Sequence, residues 1–256
     1  MDTDRGRAVM DWQRAQTYLI TAFVLVNLFL LIQIQETMEQ KNASLAVDKI
    51  SNTQIKSLLT DNNIELDVPR PKDVDELKIW QGTPTKIEGW QELEHGYQKR
   101  FNGPSMVVQN KEQLHAKLEK EVPYFSEYQL QSKPHKLTGK WVFVQHIDGR
   151  PLYAGRVEVE VENKQIRSIF MIHYKLQETA QNVAVTDFNT ALYNLINYTA
   201  GNKTQHIKRI QLGYQSQAYN NNTSLFIPVW RFQLDNKHYD VHAISFGSVK
   251  NVEMVK

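Results

Sequence analysis

The 256-residue chain has no cysteine. Disulfide staples, thiol chemistry and cysteine-based zinc sites are therefore excluded. Glycine (11) and proline (8) are sparse, which argues against a low-complexity stalk or a fibrous wall protein. No sign of charge dominates, since the formal net charge is +2. A nucleic-acid binder needs clustered Lys and Arg with a strong positive excess. There is no Gly-x-Ser-x-Gly, no phosphate-cradling glycine loop and no His-Glu-x-x-His, so the common signatures of hydrolases, nucleotide enzymes and zinc proteases are missing.

What the chain does have is one long uncharged run. Between Arg14 and Glu36 lie 21 residues, Ala15 to Gln35, without a charge. As a helix this run is roughly 30 Å long, about the hydrocarbon thickness of a bilayer. A cleaved export signal has a shorter apolar region and a small-x-small cleavage site. The residues after Ile32 carry no such pattern. The run reads as an uncleaved membrane anchor in preference to a cleaved signal or a core helix. Arg5, Arg7 and Arg14 precede it and Glu36 and Glu39 follow it. Basic residues mark the cytoplasmic side, so the N-terminus is expected inside and the large C-terminal part outside. Trp12, Arg14 and Tyr18 are the expected inner-interface residues, because amphipathic rings settle at headgroup level. Asn27 is polar near the bilayer centre. Helical spacing puts Gln16, Ile20, Phe23, Asn27 and Ile34 on one face, a candidate contact with another membrane helix. The competing reading is an amide turned onto its own backbone.

The expected organisation is a cytoplasmic tail (1–14), a transmembrane helix (15–35), a linker (36–47) and two extracytoplasmic modules (48–180 and 181–256). Removing three Arg from the 30 basic residues and three Asp from the 28 acidic ones leaves the exterior at the same formal +2. Helices are predicted at 48–60, 110–121 and 187–198 from their apolar stripes and caps, the last with Thr186 as its cap. Alternating strands with turn residues between them are predicted at 141–146, 152–160 and 166–176, then at 206–216, 225–234 and 238–249. Shorter strands are predicted at 64–68, 77–80, 105–108 and 124–130. The fold class is α+β: two modules, each an antiparallel sheet covered by a helix, with a polar seam near 178–184.

Candidate chemistry is thin. His238, Asp240 and His242 share one strand face, but alternate side chains lie about 6.6–7 Å apart, wide for one ion. The expected reading is the solvated face of an edge strand, with Tyr239, Val241 and Ala243 turned to the core. Glu158, Glu160 and Glu162 read as the polar face of a strand. Glu92 and Glu94 read as loop acids. Trp141 and Trp230 read as core, whereas Trp90 is the aromatic suited to an exterior contact. No catalytic, cofactor or metal residue is expected.

The opening Met10-Asp11-Trp12, then Arg14, Leu19-Ile20, Phe23, Asn27 and Phe29-Leu30-Leu31, resembles the YycI (WalI) family. So does the run Phe226-Ile227-Pro228-Val229-Trp230-Arg231-Phe232 with Tyr239-Asp240-Val241-His242-Ala243. Phe246-Gly247-Ser248 departs from the Thr-Gly expected there. The resemblance implies a non-enzymatic accessory regulator in a low-GC Gram-positive bacterium. It implies contact with the sensor kinase YycG (WalK) and a sister protein, YycH, through transmembrane helices, in control of cell-wall homeostasis. The other readings are an anchored enzyme acting on wall or peptide substrates and a surface-appendage subunit.

Overall fold

The computed structural model describes residues 16, 18–23, 26–27, 30, 50–103, 106–199, 201, 203–220, 222–244 and 252–255. The chain divides into two units, Met1–Lys49 and Ile50–Lys256. In the first, every described residue is helical and exposed.

The second unit is a mixed α+β structure dominated by one large sheet. Its first helix, α1 (Asn52–Asp61), is set by a capping box: Gln54 N–H donates to Ser51 Oγ at 3.2 Å, and Ser51 N–H donates to Gln54 Oε1 at 2.8 Å. Such a cap contributes about 1 kcal/mol. Next come β1 (Ile64–Leu66), β2 (Glu76–Pro84), β3 (Gln91–Leu93), β4 (Gly96–Arg100) and α2 (Lys111–Glu121). Asn110 caps α2 by accepting from Gln113 N–H, and Leu114 and Leu118 are its buried stripe. Strands β5 (Tyr128–Ser132), β6 (Gly139–Ile147), β7 (Arg150–Glu162), β8 (Gln165–Ile172) and β9 (Tyr174–Ala184) follow. Then come α3 (Phe188–Thr199), β10 (Gln205–Asn220), β11 (Thr223–Leu234), β12 (Lys237–His242) and β13 (Val252–Val255).

The hairpins sit where turn chemistry allows. Asp148-Gly149 and Asn163-Lys164 both have positive φ, as the tight turns that match strand twist require. The sheet runs β13-β12-β11-β10-β7-β8-β4-β3, with β5–β6 joined at β7 and β2–β9 joined at β11. Most pairs are antiparallel, but β1–β10 and β10–β7 are parallel. The second contact is a close one: a Cβ on Gly213 would lie 2.6 Å from the Pro151 carbonyl oxygen.

Two cores flank this junction. One lies under α2 against β5–β8 and includes Leu114, Leu118, Trp141, Val157, Ile169 and Met171. The other lies under α1 and α3 against β10–β13 and includes Ile55, Phe188, Leu192, Trp230, Phe232 and Val241.

Several expectations are corrected. Asp187, not Thr186, caps α3: its carboxylate accepts from Asn189 N–H at 3.0 Å and Thr190 N–H at 3.2 Å. The predicted strand at 166–176 breaks at His173 into β8 and β9. The polar stretch 178–184 is no seam. It completes β9, which pairs along β2 from Pro84↔Tyr174 to Glu76↔Ala184. Residues 50–66, expected with the first module, join the second core through α1 and β1. Residues 91–96, where Glu92 and Glu94 read as loop acids, belong instead to the β3–β4 hairpin, and β4 pairs with β8. At 105–108 the described residues make only a bridge, Val107 to Gln165. Phe125–Glu127 is a 3-10 turn, and β5 starts at Tyr128.

Candidate functional site

The predicted contact face lies in the first unit. Gln16, Ile20, Phe23 and Asn27 are helical and exposed, as is Tyr18. Trp12, Arg14 and Ile34 lie outside the described residues. Ile20 is 58% and Phe23 69% exposed; apolar rings and branches left this open are suited to lipid or a partner. Asn27 Nδ2 donates to the Phe23 carbonyl oxygen at 2.8 Å. The amide is thus turned onto its own helix, and its side-chain oxygen is the group left to receive a partner's donor. Among the described residues no helix is long and apolar enough to cross a membrane. Much of the 15–35 run lies outside the described residues.

The second unit holds two buried polar centres. The first surrounds His173, where β8 passes into β9. Its imidazole is 4% exposed. Nδ1 lies 2.8 Å from Thr85 Oγ1 and Nε2 lies 3.0 Å from Glu127 Oε2. The same carboxylate oxygen accepts from Gln145 Nε2 at 2.9 Å. Gln145 in turn binds both backbone groups of Tyr174, donating to its carbonyl at 2.8 Å and accepting from its N–H at 3.1 Å. A side-chain amide here replaces a strand partner. It can do so because β7 bulges: Val144 pairs with Arg156, but Gln145 pairs with Leu152. Gly155 in that bulge leaves the space, since a Cβ there would sit 2.8 Å from Gln145 Cβ. Tyr124, held at φ 58°, stacks on His173 with ring centroids 4.3 Å apart. A non-glycine residue in that region costs energy that the surroundings must offset.

A cleft of about 410 Å3 opens beside this centre, lined by Thr85, Glu92, His95, Tyr97, Arg156 and His173 among others. Arg156 is engaged by Glu158 at 2.9 Å and lies over the Phe170 ring. Glu92 and Glu94 are exposed and line the same cleft. Thr85, His173 and Glu127 form a hydroxyl–imidazole–carboxylate chain of the kind used in acyl transfer. Each member also carries a structural load: Thr85 N–H bonds the His173 carbonyl at 2.8 Å, and Glu127 holds Gln145.

The second centre is on β11 and β12. Asp240 is fully buried and takes Arg231 in a two-pronged pair, Nε to Oδ1 at 2.7 Å and Nη2 to Oδ2 at 2.6 Å. The Arg231 guanidinium lies 3.5 Å from the Tyr153 ring centroid. Burial pushes the Tyr153 phenol up and keeps it neutral. Burial, with Arg231 and Arg209 adding to it, holds His238 below the ordinary histidine range. This corrects the reading of His238, Asp240 and His242 as a solvated edge. The strand is not an edge, because β13 pairs beyond it. Both Asp240 oxygens are taken by Arg231, and His242 pairs with Glu253 at 3.1 Å, so the three do not gather around one ion. Tyr239, Val241 and Ala243 do face the second core. Trp141 and Trp230 are core residues that donate to the Leu137 and Thr186 carbonyls. Trp90 is half-buried, packed on the first core. Glu158 and Glu160 lie on the polar strand face, bound to Lys140, Arg156 and Ser168.

Comparison with known proteins supplies what the geometry does not. Residues 33–246 match the YycI protein family. The chain belongs to the YycI family. The matched span takes in nearly all of the second unit and only the last residues of the uncharged run. YycI membership suggests an accessory regulatory role in the YycFG two-component system. The YycI family is a regulator family, not known as enzymatic. No curated protein matches the chain at a significant level. An uncharacterized protein from Eubacterium rectale is similar in structure, with a TM-score of 0.36 and 15% identity over 57% of this chain and 51% of that one. The chain thus spans about half the length of that protein, and a likeness this distant carries no argument about function.

Proposed function

We propose that this YycI protein is a membrane-anchored, non-enzymatic regulator of the sensor histidine kinase YycG (WalK), controlling cell-wall homeostasis. It acts through helix–helix contacts within the bilayer, together with a YycH-like sister protein. The observation that carries the proposal is the family match joined to the 21-residue uncharged run at Ala15–Gln35. The exposed face at Gln16, Ile20, Phe23 and Asn27, continued by Ile34 in sequence, is the proposed contact surface. Trp12, Arg14 and Tyr18 are the proposed inner-interface residues, and the C-terminal unit lies outside the cell membrane. Trp90 is the proposed exterior contact.

The absence of native cysteine makes the topology directly measurable. Single variants K136C and T3C place one thiol each in an otherwise thiol-free chain. A membrane-impermeant maleimide applied to intact cells is expected to label K136C fully and T3C only after lysis. Equal labelling of T3C in intact cells overturns the anchored orientation.

A second reading, an anchored enzyme acting on wall or peptide substrates, draws on one observation: the Thr85–His173–Glu127 chain beside its cleft. Burial of the imidazole and the Tyr124 ring stacked on it favour a structural role. Thr85→Ser separates the two. A nucleophile retains or gains turnover as serine and loses it as alanine, whereas a structural hydroxyl shows no turnover in any form.

A further inference from the structure

The geometry points to a divalent-cation site, best matched to zinc, formed by Glu65, Asp67 and His206 outside both buried centres. Three facts build it. First, the backbone fixes the donors. Strands β1 and β10 pair in parallel with Glu65 opposite His206, and Asp67 N–H extends the ladder by donating to the Ile207 carbonyl at 3.1 Å. Ile64 is buried in the second core and Leu66 packs against it, so alternation turns Glu65 and Asp67 to the other face, beside His206. The donors therefore come from segments about 140 residues apart in sequence and are held by main-chain hydrogen bonds.

Second, the spacing fits. His206 Nδ1 lies 3.4 Å from Asp67 Oδ1 and 3.6 Å from Glu65 Oε2, and one donor atom from each residue falls within 4.8 Å of the others. A tetrahedral zinc with bonds of about 2.0–2.2 Å sets its ligands roughly 3.3–3.6 Å apart. The smaller octahedral edge of magnesium, with bonds of about 2.1 Å, is roughly 3.0 Å. One imidazole nitrogen and two carboxylates form a mixed set suited to zinc, with the fourth position left to water.

Third, the charge is unbalanced. Among the described residues no Lys or Arg forms an ion pair with Glu65 or Asp67; His206 is the partner of both. Glu158, on the face of β7, by contrast has both Lys140 and Arg156. An ion at the trio would supply the missing positive charge and bind β1 to β10, a parallel ladder of three residue pairs. Its effect would be to fix α1 and β1 onto the second core.

The test is a Zn2+ titration of the full-length protein in detergent by calorimetry, with Co2+ as a spectroscopic stand-in whose visible absorption reports a tetrahedral site. One ion per chain is expected, together with a rise in Tm on adding Zn2+. His206→Ala and Asp67→Asn are each expected to weaken binding at least tenfold and remove the Tm rise. His238→Ala, on β12 and outside the trio, leaves both unchanged. Should His206→Ala fail to fold, Asp67→Asn decides, since it is exposed and isosteric. No saturable one-to-one binding by the wild type overturns the site. So does wild-type affinity in the folded variants. The site stands or falls independently of the regulatory role, because none of these readouts involves the kinase.

Discussion

Replacing Asp240 with alanine is expected to destabilise the second unit by about 3–5 kcal/mol, the range for breaking a buried ion pair from one side. Asp240 is fully buried and engages two guanidinium nitrogens of Arg231 at 2.7 and 2.6 Å. Removing the carboxylate leaves the guanidinium in place with only the Tyr153 ring beneath it. The Arg231 side chain is 17% exposed, so some water reaches it and the loss falls at the lower end. Adding Arg231→Met removes the orphaned charge, and the double variant is expected to regain much of the stability. Urea unfolding followed by tryptophan fluorescence checks this. A loss below about 1 kcal/mol, the usual value of an exposed pair, would show that the pair is solvated and not a core element.

Gly155→Ala is the second large effect, about 3 kcal/mol. Its Cβ would lie 2.8 Å from Gln145 Cβ and closer still to the amide oxygen. Overpacking of this kind costs about 1–3 kcal/mol. Moving Gln145 also strips the Tyr174 N–H and carbonyl of their partners, and each buried orphan costs about 1–3 kcal/mol. The origin of the effect is testable by a cycle. If the clash with Gln145 is the cause, Gly155→Ala in a Gln145→Gly background, which removes the opposing Cβ as well as the amide, costs little more than Gln145→Gly alone, because the two changes act on one space. Full additivity would place the cost elsewhere in the bulge.

These two centres were legible in sequence to different degrees. The Arg231–Asp240 pair could have been found. The turn at Asp235-Asn236 fixes the hairpin register, and that register sets Arg231 directly opposite Asp240. Reading β12 alone, without its partner strand, made the acid look solvated. The His173 centre had no such signal. It assembles Thr85, Tyr124, Glu127, Gln145 and His173 from segments as far as 88 residues apart.

The helices were readable because their stripes and caps are local, as with Leu114 and Leu118 behind Asn110. The hairpins at Asp148-Gly149 and Asn163-Lys164 were readable because their turns need residues that accept positive φ. Strand β9 was not. Lys175, Gln177, Glu178, Gln181 and Asn182 carry no apolar alternation, and only pairing with β2, about 100 residues earlier, makes them a strand. The parallel step of β1 onto β10 likewise has no local mark, which is why Glu65, Asp67 and His206 emerge as a group only in three dimensions.

The central claim is that residues 15–35 are the working contact with the kinase. The most direct measurement replaces that segment with an unrelated membrane-spanning helix, keeps residues 36–256 intact and compares YycG co-purification from solubilised membranes at matched membrane levels. At least a tenfold loss of co-purified kinase, with a parallel loss of control over its target genes, is the expected result. Undiminished co-purification by the swapped chain contradicts the claim and moves the contact to the exterior.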